Sequence, residues 1–119
     1  MKHDMDLIRK ILLAIESHPE PYSWDVPLDI SDYSEKEICY HVKLLEEAGL
    51  IEARIMTAMG GEFECAVNSL TWTGHEFLEA ARDDSRWEKV KRLVWEKTGS
   101  LPFEVLKAGL VREMLRIIS

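Results

Sequence analysis

Leu7, Ile8, Ile11, Leu12 and Ile15 recur at the three- and four-residue spacing of one helical face, which predicts a helix over 4–17. Asp4 and Asp6 sit in its first turn, where the helix dipole favours anions, and Pro19 and Pro21 end it. Tyr22, Trp24, Val26 and Leu28 then fall at even spacing, with Pro27 limiting pairing, so a short edge strand and a turn are expected. A second helix is predicted over 34–48. Ser34-Glu35-Lys36-Glu37 reads as a capping box with Tyr33 and Ile38 at the staple positions, and Ile38, His41, Val42, Leu45 and Ala48 form the inward stripe. Gly49 supplies a left-handed cap. Strand patterns follow over 51–56 and 63–70, with Phe63, Cys65 and Val67 on one face and the Gly60-Gly61 pair as the turn between them.

The remaining chain reads as three helices, over 73–82, 85–97 and 102–117. Thr73-Gly74-His75-Glu76 is expected to cap the first, with Trp72 and Phe77 as its staple and Phe77, Leu78 and Ala81 facing inward. Ser85 is expected to cap the second, which buries Trp87, Val90 and Val94; Gly99-Ser100 breaks it and Pro102 opens the last. In that last helix Phe103, Leu106, Leu110, Met114 and Ile117 form one stripe, while Val105, Val111, Leu115 and Ile118 lie outside it. So wide an apolar arc calls for burial on two sides. Self-association through Val111, Leu115 and Ile118, as a homodimer, is the favoured expectation. The alternative is a monomer in which Leu93 and Trp95 cover that second side. The expected core includes Ile8, Ile11, Ile38, Leu45, Leu50, Phe77, Trp87 and Leu106.

This order predicts a mainly α chain with a small β-hairpin (α+β): a winged helix–turn–helix domain over 1–82 and a C-terminal helical extension over 83–119 that packs on it. Two pieces carry a resemblance. SEKEICYHVKLLEEAGLI, from Ser34 to Ile51, resembles the recognition helix of bacterial winged-helix repressors. LTWTGHEFL, from Leu70 to Leu78, resembles the LT-x-x-G step that closes the wing in those repressors. Over nearly its whole length, through KHDMDLIRKIL, EICYHVKLLEEAGLI, LTWTGHEFLEAARDDSRW and SLPFEVLK, the chain resembles an uncharacterised family of small bacterial and prophage proteins. One departure stands out. Repressors of this kind place a supporting helix before the recognition helix, whereas here 18–33 holds three prolines and leaves that helix shortened or absent.

Composition then narrows the function. The 119 residues suit one domain, and 46% apolar residues suffice for a core. No apolar run approaches the ~18 residues of a membrane span, and no signal-peptide pattern opens the chain, so a cytoplasmic protein with no membrane partner is expected. Cys39 and Cys65 are far apart in sequence, lack a CxxC pattern, and read as free thiols. The net charge of −7 is uneven: −6 over 1–58, −3 over 59–82 and +2 over 83–119.

The predicted recognition helix turns Lys36, Cys39, Tyr40, Lys43 and Glu47 outward. Lys36, Tyr40 and Lys43 are the candidates for duplex DNA, with Arg54 on flanking phosphates. Glu62 and Glu64 at the hairpin tip would repel phosphate. A DNA-binding or transcription-regulatory role is the leading expectation, and a winged-helix protein-interaction module the alternative. His41 reads as a buried histidine bonded to backbone. Trp72 and Trp87 read as core, and Trp95 as exposed or interfacial. The scattered His3, His18 and His75 predict no metal site; the sequence also predicts no cofactor and no catalytic centre.

Overall fold

The computed structural model describes residues 1–20 and 23–118. Its elements are α1 (Met5–Ser17), α2 (Glu35–Glu47), β1 (Ile51–Thr57), β2 (Phe63–Leu70), α3 (Trp72–Ala81), α4 (Asp84–Thr98) and α5 (Phe103–Ile118). The chain is therefore a mostly helical α+β protein, with five helices and one antiparallel hairpin among the described residues and with helix, hairpin and helix in the expected order. It divides into two compact units, Met1–His75 and Glu76–Ser119.

In the first unit α1 and α2 pack on each other and both pack on β2. Leu7, Ile11, Leu12, Val42 and Leu45 are buried completely or nearly so. Asp4 caps α1, its Oδ1 accepting the N–H groups of Asp6 (2.9 Å) and Leu7 (3.2 Å). The capping box of α2 is present: Ser34 Oγ accepts the Glu37 N–H at 3.1 Å, and the Ser34 N–H donates to Glu37 Oε1 at 3.3 Å. Gly49 ends α2 with φ +76°. The hairpin register runs from Ile51 opposite Leu70 to Thr57 opposite Phe63. Glu52 faces Ser69 while Ala53 faces Val67, so Asn68 is an extra residue bulged out of β2.

Several expectations need correction. No strand forms over 23–28; this segment is irregular, because Pro27 cannot donate to a ladder and the contacts to β2 centre on Val26. Pro21 and Tyr22 lie outside the described residues. α3 is capped two residues before the expected Thr73. Thr71 is the capping residue, its Oγ1 accepting the Gly74 N–H at 3.1 Å and donating to the Gly49 carbonyl at 2.6 Å. Trp72 is thus the first helical residue and is 78% exposed, not a buried staple. α4 is capped by Asp83, which accepts the Arg86 N–H at 2.8 Å, not by Ser85. Ala48 is exposed, since it lies at the end of α2 beyond the packed turns, and Cys39 is buried against the hairpin side of α2 rather than turned outward.

In the second unit α4 packs along α5. Trp87, Val90, Val94, Leu106 and Leu110 are buried. Gly109 meets Val90, where a Cβ would stand 2.7 Å from a valine methyl, so the glycine permits a close helix approach. Lys89 and Glu113 tie the two helices at 3.0 Å, and this ammonium partner lowers the Glu113 pKa. Phe103 packs against Phe77 with the rings tilted at 43° and their centroids 4.9 Å apart. The expected stripe of α5 is buried only at Leu106 and Leu110; Ile117 is exposed near the helix end.

Candidate binding site: the cleft between the second helix and the hairpin

Three pieces of backbone wall a cleft of about 1010 Å³: the irregular segment 25–28, the N-terminal half of α2, and the turn and outer half of β2. Each wall is held by identifiable bonds. The 23–26 segment is stitched to the hairpin, with the Val26 N–H donating to the Val67 carbonyl at 2.8 Å and Asn68 Nδ2 donating to the Ser23 carbonyl at 2.8 Å. α2 is held from the other side by His41, which is buried. Its Nε2 accepts the Asp4 N–H at 2.8 Å, and its Nδ1 donates to the Glu37 carbonyl at 2.7 Å. Asp4 Oδ2 also accepts the Tyr33 hydroxyl at 3.1 Å, just ahead of α2. Burial and the neighbouring Asp4 carboxylate raise the Tyr33 pKa.

The cleft brings together two of the four candidate DNA contacts. Lys36, exposed, and Tyr40, half-buried, both line it. Lys43 and Arg54 lie elsewhere. Lys43 hydrogen-bonds Glu47 one turn on, and this bond raises the lysine pKa. The Arg54 guanidinium sits 5.3 Å from the Trp24 ring centroid and donates to the Trp24 carbonyl at 3.4 Å. Lining the cleft together with Lys36 are the acidic residues Asp25, Glu35, Glu62 and Glu64. Residues 1–75 as a whole carry a net charge of −8. The side chains lining the cleft therefore carry a net negative charge, which repels phosphate.

The cysteines, remote in sequence, meet here. Cys39 from α2 and Cys65 from β2 both line the cleft, and their thiols hydrogen-bond. Burial pushes the Cys65 thiol up to about 12, with the Cys39 bond and the negative charge of Asp25 adding to the effect. Only the pairing of α2 with β2 reveals this contact; neither cysteine has a local sequence signal. Asp25 was equally hidden, because its role depends on accepting the Val67 N–H at 3.4 Å. Among the described residues no group of three His, Cys, Asp or Glu side chains is arranged to hold a metal ion, and no helix is long and apolar enough to cross a membrane.

Residues 2–100 match the family model described as Hypothetical protein (DUF2513). An uncharacterized protein of Haemophilus influenzae is 36% identical over 107 residues, covering 90% of this chain and 90% of that one. No solved structure matches the chain. On both the extent of the family match and the identity to this relative, the chain belongs to the DUF2513 family.

Proposed function

We propose that the first unit is a non-catalytic recognition module of the winged-helix kind that binds a protein partner in the cleft between α2 and the hairpin. The observation that carries this reading is the charge around Lys36 and Tyr40, which share the cleft lining with four acidic residues, Asp25, Glu35, Glu62 and Glu64. The hairpin adds exposed apolar side chains, Met56, Met59 and Phe63, where a DNA-binding wing presents cations. Among the described residues no helix stands between α1 and α2, so the supporting element of a repressor is missing. A regulatory role in the cytoplasm of a bacterium or its prophage fits such a module.

Duplex DNA is the second reading. It is favoured by Lys36 and Tyr40 lying one helical turn apart on a helix that leads into a hairpin. Binding to random duplex DNA at low and moderate salt separates the two. The protein reading expects no association at either salt concentration. Affinity that falls steeply with salt and is lost in Lys36→Glu would replace it with the DNA reading.

The second unit is proposed to mediate self-association. Val111, Leu115 and Ile118 on α5 are 41%, 56% and 80% exposed, an apolar row that a twofold partner would cover.

A further inference from the structure

The outer edge of β2 is covered at one position and open at the next two. At Val67 the edge is closed, because Val67 accepts the Val26 N–H at 2.8 Å and donates its own N–H to Asp25 at 3.4 Å. Val67 thus turns both backbone groups away from β1. That orientation repeats at every second residue of an antiparallel strand. Cys65 and Phe63, opposite Ile55 and Thr57, continue the same parity with no bulge between. At the near end of the ladder the Glu62 carbonyl accepts the Ala58 N–H at 2.6 Å, so the alternate residues are the ones that face β1.

The N–H and C=O groups of Phe63 and Cys65 therefore point outward, and no hydrogen bond from another described residue reaches them. The segment that covers Val67 goes no further along this edge: a period of two would bring Leu28 opposite Cys65, and among the described residues no backbone hydrogen bond joins them. Both edge residues line the cleft.

We propose that the cleft takes an extended peptide segment of a partner protein, added as a third strand along the Phe63–Cys65 edge and carrying basic side chains alternating with apolar ones. This deepens the protein-binding reading and rests on it. An open edge supplies backbone hydrogen bonds to any sequence, and side-chain pockets then select among sequences. Asp25, Glu35, Glu62 and Glu64 select cations, with Lys36 the one side-chain cation among the described lining residues. Ile38, Tyr40 and Phe63 offer apolar surface to the alternate positions. A segment of this kind has side chains on both faces and a backbone that needs partners, and the cleft answers both needs.

The probe is a capped pentapeptide, Val-Lys-Val-Arg-Val, titrated into the full chain and followed by backbone amide NMR. The expected result is saturable binding in which the Phe63 and Cys65 amides shift and gain protection from exchange. N-methylating the peptide nitrogens that face β2 should weaken binding about tenfold, since it removes edge hydrogen bonds and leaves the side-chain charges unchanged. Replacing Lys and Arg by Glu should weaken it at least as much. Phe63→Pro deletes an outward N–H that β1 does not use, so it should lose the peptide while the spectrum of α1 and α2 stays folded. Glu64→Lys is a second variant for the charge requirement. Unchanged affinity of the N-methylated peptide, or binding that moves Lys36 and Tyr40 but leaves the Phe63 and Cys65 amides untouched, would overturn strand addition while leaving protein binding standing. Absence of peptide binding together with salt-dependent DNA binding would overturn both.

Discussion

His41 accepts the Asp4 N–H on its Nε2 at 2.8 Å, across 37 positions of sequence, and donates its Nδ1 hydrogen to the Glu37 carbonyl. One buried side chain thereby joins the start of α1 to the middle of α2, and Asp4 extends the link to Tyr33. The cleft depends on this joint, because it fixes the helix that carries Lys36 and Tyr40.

His41→Leu fills similar space but strands the Asp4 N–H without a partner. The expected cost is about 1–3 kcal/mol of unfolding free energy, the penalty of one orphaned buried donor. Urea denaturation of the two proteins measures it. An unchanged midpoint would show that water or a shifted backbone replaces the imidazole.

Gly74 lies against the Leu50 carbonyl, and a Cβ there would collide with a backbone oxygen. Gly74→Ala should therefore cost about 1–3 kcal/mol, as overpacked sites do. Gly60→Ala is the control: a Cβ at Gly60 meets open space and its φ is not positive, so the change should stay within roughly 0.5 kcal/mol. Thermal melts of both variants give the comparison.

Much of this was legible in the chain and some was not, for reasons that differ by element. The amphipathic stripes of α1 and α2 are local, so Leu7, Ile11 and Leu45 announce their burial by spacing alone. The Ser34 box is likewise local and is found where expected. The sequence pattern points to Thr73 as the cap of α3, whereas Thr71 takes that place because it is held to the Gly49 and Leu50 carbonyls, some twenty positions away, which no local pattern contains. Taking Thr73 made Trp72 a staple; taking Thr71 leaves it in solvent. The Cys39–Cys65 contact and the closure of the β2 edge by Val26 are products of tertiary pairing. For the candidate site, Lys36 and Tyr40 are visible as outward residues, but of the acids that share the cleft only Glu35 is on their helix; Asp25 comes from the irregular segment and Glu62 and Glu64 from the hairpin.

Cys65 should react slowly with iodoacetamide in the native protein at pH 8 and at an ordinary thiol rate after unfolding, because thiolate is the attacking form and the native pKa is pushed up to about 12. The same shift sets a pH dependence. The folded state holds this proton more tightly than the unfolded chain, so its stabilising contribution is complete below the unfolded thiol range and is lost as pH rises towards about 12. Denaturant midpoints of Cys65→Ala should decline less over that alkaline range than those of the parent chain. Equal decline would assign the alkaline loss to other groups.

Sedimentation at micromolar concentration should show a dimer through α5. Leu115→Glu and Ile118→Glu should each return a monomer with an unchanged circular dichroism spectrum, since both side chains are exposed in the single chain. A parent protein that sediments at its 13.8 kDa chain mass would remove the self-association proposal.

The extra residue at Asn68 sets the phase of everything beyond it in β2. A strand presents its side chains, and its outward backbone groups, with a period of two. Excising Asn68 while the turn and β1 keep their places would leave Phe63 and Cys65 opposite Thr57 and Ile55, and would re-phase only Ser69 and Leu70 at the base of the hairpin. The bulge therefore separates two duties of one strand: the edge that faces the cleft is set from the turn, and the delivery of Thr71 to the Gly49 and Leu50 carbonyls is set from the base. Loss of that one residue would strain the cap of α3 and spare the edge.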